Sequence, residues 1–452
     1  MRLKLLTLAM ALAAISLPSH GEDLLDAYRD ARANDPVLSQ ADANRLATGE
    51  GVNQARALLL PQISADWSLS QTNNGGGGGA SQIEDPNNPG SYITVGSFGH
   101  TRTRSLNGRL SQSVLDFSKY ANLKAAHSAS DAQDQLYQAA TLELYVRVAS
   151  AYFDVLTSED ELTNAKANED AFRQQYEQSD QRFKVGLSAV TDVYQAKAYY
   201  ETAKSQTIAA QNALNDAREA LTEITGKPTG ELKKLRDDLP MDPPSPADQD
   251  SWVKQALDNN PNLLAQKANV ETAEHNISAA RAGHLPTIDA SVSYGKSANW
   301  YQNSNYHDHR PGSTTIGLTL TVPIFSGGLT QSQVRQSIYQ RDAAADSMES
   351  ARRQVVRDTL NYYRSVITGI SQVESAKASV ESGRKALEAT RAGFDVGTQT
   401  MTDVLLAIQT LTSSETSYSQ ARHQFILNKL LLKQSAGTAD VKDIEEINSL
   451  LQ

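Results

Sequence analysis

The sequence predicts a mainly helical protein with a small β part, built as two copies of one structural unit. Three observations predict it: a repeat that keeps register along the chain, two long stretches almost free of helix breakers, and four segments that alternate with a period of two. The repeat is clearest at a pair of turns. Arg182-Phe183-Lys184-Val185-Gly186-Leu187 leads to Thr191-Asp192-Val193, and Gly393-Phe394-Asp395-Val396-Gly397-Thr398 leads to Thr402-Asp403-Val404. The offset is constant at 211 positions (403 − 192), and it also relates Tyr152 to Tyr363, Val155 to Val366 and Gly226 to Gly437. Upstream, Asn34, Pro36, Arg56, Leu60 and Pro61 match Asn259, Pro261, Arg281, Leu285 and Pro286. A duplication this regular describes an architecture rather than a scaffold around one active site.

The helices come first because they make up most of the chain. Neither Gly nor Pro occurs from Lys119 to Phe183, and from Leu329 to Phe394 there is no Pro, with Gly369 and Gly383 the only interior breakers before Gly393. Such runs, rich in Ala, Gln, Glu, Arg and Leu, predict long helices over about 118–184 and 326–395. At 1.5 Å per residue each spans about 100 Å. After each Val-Gly turn a shorter helix is predicted, over 188–225 and 400–436. Both carry a seven-residue spacing: Val193, Tyr200, Thr207, Leu214 and Leu221, then Val404, Leu411, Tyr418, Phe425 and Leu432. That period predicts supercoiled helix packing. Helices over 23–58 and 251–283 open the two copies, 22–226 and 251–437. Between them, 227–250 holds five prolines among charges and reads as a connector, and 438–452 as an exposed tail with one short amphipathic helix.

The strands are predicted at about 61–72, 102–115, 286–297 and 313–322. Ile63, Ala65, Trp67 and Leu69 alternate with Ser64, Asp66, Ser68 and Ser70, and the other three behave alike. A half-buried soluble sheet would show the same pattern. No apolar helix face of matching size remains to cover four such strands, so the pattern predicts membrane strands, apolar toward lipid and polar toward a lumen. Four strands cannot close a barrel, since the smallest have about eight, so oligomerisation is implied. The polar stretches 71–101 and 299–311 then become the longer outer loops.

The ends and the composition agree. Arg2, Lys4, an apolar run from Leu5 to Leu17 and Ser19-His20-Gly21 predict a signal peptide over 1–21, so the mature chain leaves the cytoplasm. There is no Cys, which excludes disulfides and thiolate metal sites. A net charge of −10 without a basic stripe argues against nucleic acid, and a hydrophobic fraction of 39% suits long solvated helices. His307-Asp308-His309 sits in a predicted loop without the three or four converging ligands that a metal needs. No catalytic constellation or cofactor motif is present, so no enzyme and no cofactor is expected.

The duplicated Phe-x-Val-Gly and Thr-Asp-Val blocks, Leu60-Pro61 and Leu285-Pro286 entering strands, and Val322-Pro323-Ile324-Phe325-Ser326-Gly327-Gly328 resemble the TolC family of outer-membrane efflux channels. The resemblance covers the whole mature chain. It implies a homotrimer whose strands make one twelve-stranded outer-membrane barrel, continued by a hollow helical barrel in the periplasm. It implies an exit duct for drugs, other small molecules or proteins, served by a periplasmic adaptor protein and an inner-membrane transporter. It also implies that the tips Val185-Gly186-Leu187 and Val396-Gly397-Thr398 dock the adaptor, where exposed apolar residues already point to a partner.

The resemblance further implies an acidic gate at Asp192 and Asp403. Each also falls early in a helix, where the macrodipole favours a carboxylate. Better-known members have a Tyr, an Arg and a second acid where this chain has Phe394, Gln399 and Leu406. A closed state held by packing of Phe394 is therefore expected in place of polar links. The competing class is a secreted or surface coiled-coil protein without transport, which the four alternating segments disfavour.

Overall fold

The computed structural model describes residues 22–74, 81–95, 99–301, 307–309 and 311–452. The signal-peptide reading over 1–21 and the run Gly75–Gly79 lie outside them. In chain order the elements are α1 (Leu24–Asn34), α2 (Pro36–Ala57), β1 (Gln62–Asn74), β2 (Ser81–Glu84), β3 (Tyr92–Val95), β4 (Gly99–Leu115), α3 (Phe117–Lys184) and α4 (Val190–Thr225). The second half holds α5 (Gln249–Asn259), α6 (Pro261–Ala282), β5 (Thr287–Tyr301), β6 (His307–His309), β7 (Ser313–Thr321), α7 (Leu329–Asp395), α8 (Met401–Ser435) and α9 (Val441–Asn448). The chain forms two compact units, one of residues 1–45, 133–266 and 348–452, the other of 46–132 and 267–347.

The second unit carries the sheet. Its strands run β1-β4-β5-β7, all antiparallel, with β6 pairing the outer end of β5. The register puts Ile63, Leu110, Val292 and Ile316 in one row across four strands, and Ser64, Arg109, Ser293 and Thr315 in the next. One face is thus apolar and the other polar, as period-two alternation demands. The apolar face is bare: Ile63 and Ile316 are 79% and 78% exposed. Two expectations change here. The loops are shorter, because β1 and β4 keep pairing from Gln71 to Asn74 and a β2–β3 hairpin forms between them. His307, Asp308 and His309 continue the ladder opposite Trp300, Asn299 and Ala298 instead of forming a loop.

The first unit is helical, with three apolar clusters. The largest joins Leu24 and Tyr28 of α1, Val148, Tyr152 and Phe153 of α3, Leu214 and Leu221 of α4 and Leu430 of α8. Of the heptad positions, Val193, Leu214, Leu221, Val404, Phe425 and Leu432 are buried and Tyr200, Thr207, Leu411 and Tyr418 half-buried, so the seven-residue spacing follows the packed seam. The duplicated tyrosines have matching tasks. The Tyr152 hydroxyl donates to the carbonyls of Glu22 (3.1 Å) and Lys233 (2.9 Å), and the Tyr363 hydroxyl to that of Ala247 (2.7 Å).

Those bonds pack the connector 227–250 onto the helical unit, and they correct the reading of 438–452 as an exposed tail, whose expected short helix is α9. Leu232 and Leu235 are buried, Leu232 bridges to Glu22, and Leu235 bridges to Leu451. Ile444 and Ile447 of α9 enter the same core, and Lys433 pairs with Asp443. Prolines broke the helix pattern in the connector, while the backbone there found partners outside any regular element.

Candidate functional site

The candidate site is the pair of turns where α3 meets α4 and α7 meets α8. Both turns close in the same way. Gly186 has φ +76° and Gly397 φ +82°, left-handed values that suit Gly. The Leu187 N–H donates to the Arg182 carbonyl (2.8 Å) and the Gly186 N–H to that of Phe183 (2.9 Å). In the second copy Thr398 donates to Gly393 (2.8 Å) and Gly397 to Phe394 (3.1 Å). This pairing satisfies the last carbonyls of each long helix and lets the chain reverse at once. Its consequence is that Val185, Leu187 and Val396 stand 69%, 72% and 75% exposed.

Asp192 and Asp403 follow as the third residues of α4 and α8. Asp403 forms a capping box: its N–H donates to the Thr400 hydroxyl (3.3 Å), and its carboxylate accepts from the Thr400 N–H (2.8 Å). The Thr400 hydroxyl and N–H hold the Asp403 carboxyl below its ordinary range. The first copy has Ala189 at the cap, so Asp192 instead accepts from the Ser188 hydroxyl (2.8 Å). Gln195 donates to the Thr402 hydroxyl (3.1 Å), which ties the starts of α4 and α8 together. Both carboxylates therefore serve their own helix starts, and that local role is compatible with a second one.

Phe394 packs against the cluster of Phe172, Ala203, Met401, Val404, Leu405 and Ile408. Arg182, from the other turn, lays its guanidinium over the Phe394 ring at 4.7 Å. This cation–π contact joins the last turns of α3 and α7. Nothing in the local sequence signals this contact, since a basic residue in the last turn of a helix is common. Gln399 is exposed and donates its backbone N–H to the Gly393 carbonyl (3.2 Å). Its side chain lies across Gly393, where an added Cβ would stand 2.6 Å from the Gln399 Cγ. Leu406, where a second acid is expected from the resemblance, is an exposed apolar side chain.

Residues 27–227 and 252–438 match the family model described as outer membrane efflux protein. The chain belongs to the outer membrane efflux protein family. The unmatched gap falls on the connector, so the family pattern covers both copies and both turns. Among its relatives, the chain is 34% identical to "Outer membrane protein TolC" of Escherichia coli (strain K12), covering 98% of this chain and 88% of that one. It is 26% identical to "Alkaline protease secretion protein AprF" of Pseudomonas aeruginosa, covering 93% and 86%. Among solved structures, the Campylobacter jejuni CmeC outer membrane channel superposes with a TM-score of 0.74 at 18% identity, over 95% of this chain and 90% of that one. The outer membrane protein VceC from Vibrio cholerae gives 0.72 at 18%, over 92% and 96%. These channels share the mainly helical fold with a strand part. The proteins of the family that these names describe are channels and secretion proteins rather than enzymes.

Proposed function

We propose that this protein is the outer-membrane exit duct of a tripartite efflux or type I secretion system, acting as a homotrimer and performing no chemistry itself. The observation that carries this reading is the bare apolar face of the sheet, one row of which is Ile63, Leu110, Val292 and Ile316, backed by a polar face. In water such a face is a liability, and in lipid it is what a barrel exterior requires. Within the described sheet β1 pairs only with β4 and β7 only with β5, leaving both edges open. Unpaired backbone in hydrocarbon costs several kcal/mol per group, and head-to-tail joining of three chains into twelve strands removes it. Mass measurement in mild detergent should give a trimer. A stable monomer or dimer in detergent, or a mature protein soluble without it, would overturn the reading.

The exposed Val185, Leu187 and Val396 are the docking points for a periplasmic adaptor, which in turn engages an inner-membrane transporter. Gly186→Leu and Gly397→Leu place a side chain in a left-handed turn that disfavours it by about 1–2 kcal/mol. Efflux should fall to background while trimers persist in the outer membrane, and normal efflux in both variants would remove the docking role. In three copies, Asp192 and Asp403 supply six carboxylates around the periplasmic constriction. Phe394 holds the closed state by packing, and Gln399 leaves it without an ion pair.

A further inference from the structure

The apolar face of the sheet has a charge pattern that a plain barrel exterior does not need. Along β4 the residues on that face run Leu110, Gly108, Leu106, Arg104, Arg102, and along β5 they run Val292, Tyr294, Lys296, Ala298, Trp300. Leu106 stands opposite Lys296 and Arg104 opposite Ala298, so Arg104 and Lys296 are diagonal neighbours roughly 7–8 Å apart. Arg102 stands opposite Trp300 and beside Gln71, whose side-chain oxygen accepts from its Nε at 3.0 Å. All three cations are exposed, and among the described residues neither Arg104 nor Lys296 has an ion-pair partner. No carboxylate occurs on this face within β1, β4, β5 or β7, whereas Asp66 and Asp289 lie on the polar face. In a chain of net charge −10, a face with three cations and no acid is a strong local asymmetry.

Height along the barrel gives the pattern its meaning. The first apolar row pairs Ile288 with Leu320. At about 3.4 Å per residue and a tilt of about 40°, Lys296 stands about 20 Å above that row and Trp300 with Arg102 about 30 Å. The apolar band of an outer-membrane barrel is about 25 Å tall, so the cations bracket its upper edge among Trp67 and Trp300. The lower edge, at Leu115, Ile288 and Leu320, has no cation. The cations also lie at the end bearing the longer loops, which is the outer side of such barrels.

We propose that Arg102, Arg104 and Lys296 form a band that binds net-anionic phosphate headgroups of lipids in the outer leaflet. This rests on the barrel reading above. Arg supplies a planar fork for phosphate, and the stems of all three side chains lie along the apolar surface while their charges reach the headgroups. Each cation contributes about fivefold in affinity for an anionic surface.

The test uses the intact protein purified in neutral detergent, offered equal amounts of phosphatidylglycerol and phosphatidylethanolamine, with retained lipid read by native mass spectrometry. The wild type should retain phosphatidylglycerol preferentially. The triple variant Arg102→Gln, Arg104→Gln, Lys296→Gln should lose that preference by on the order of a hundredfold. Arg109→Gln, on the polar face, should keep it. Equal preference in the wild type and the triple variant would overturn the proposal, as would equal loss in Arg109→Gln. Displacement of the lipid by millimolar inorganic phosphate would make the band a free-anion site and overturn the lipid assignment. A protein that retains neither lipid and stays soluble without detergent would overturn the barrel reading itself.

Discussion

His423 shows how single residues tune the helical unit. Its ring is buried, lies tilted at 31° to the Phe153 ring with centroids 5.3 Å apart, and shares a 2.7 Å hydrogen bond with the Thr157 hydroxyl. Burial pushes its pKa from 6.5 down to about 4. The unfolded chain therefore binds more protons than the folded one between about pH 6.5 and 4, so stability falls on acidification through that window. The full loss is about 3 kcal/mol. Thermal unfolding of His423→Gln should show a flatter dependence on pH between 7 and 4.5 than the wild type, and parallel curves would discount the residue. Arg182 and Phe394 make a second prediction at this scale. A double-mutant cycle with Arg182→Gln and Phe394→Leu should return a coupling of about 0.5–1 kcal/mol. Either single variant should also leak large antibiotics into the cell, and additive effects without leak would deny the pair a part in closure. Neither contact was legible in the sequence. Arg182 and Phe394 belong to different copies of the repeat, and local periodicity says nothing about which distant ring a guanidinium will meet.

Among elements, the helices and strands were legible because their signals are local. Absence of Gly and Pro defined α3 to within a residue or two of Phe117–Lys184, and alternation defined the strands apart from their outer ends. The glycines inside α7 gain a reason only from packing: a Cβ on Gly369 would stand 3.1 Å from the Phe425 ring. The paired helix-ending glycines are clearer still. Gly226 and Gly437 both have φ +70°, and an added Cβ would meet Asn34 at 2.9 Å and the Asn259 carbonyl at 2.3 Å. Each long-helix return thus rests on the end of the short helix that opens its own copy. Asn34 donates to the Thr225 carbonyl (2.9 Å) and Asn260 to that of Ser435 (2.9 Å). Gly437→Ala meets rigid backbone where Gly226→Ala meets a side chain. It should therefore destabilise more, by about 2–3 kcal/mol or above, combining left-handed strain with the clash. Equal melting temperatures for the two variants would contradict this. The burial of α9 escaped the sequence because eight residues hold too few apolar positions to show which core receives them.

For the whole molecule, the family and the duct were legible from the order and spacing of the duplicated blocks, while the aspartates proposed for a gate were legible only as helix-start residues. Asp192 and Asp403 looked equivalent, yet Thr400 makes a capping box for one and Ser188 a single bond for the other. In the proposed trimer, single-channel recordings should show cation selectivity that weakens in Asp192→Ala with Asp403→Ala. Multivalent cations should block from the periplasmic side only while these carboxylates remain, and unchanged selectivity would leave them as helix-start residues. The open edges of β1 and β7 carry a consequence for inheritance. In the trimer proposed above, a chain whose β1 edge still pairs but whose tip cannot function enters assemblies beside normal chains. With equal synthesis of both forms, about one trimer in eight is wholly normal. Tip variants such as Gly397→Leu should therefore be dominant over a resident wild-type copy, and variants that break the β1 edge should be recessive, because an unpaired chain never reaches a ring to spoil.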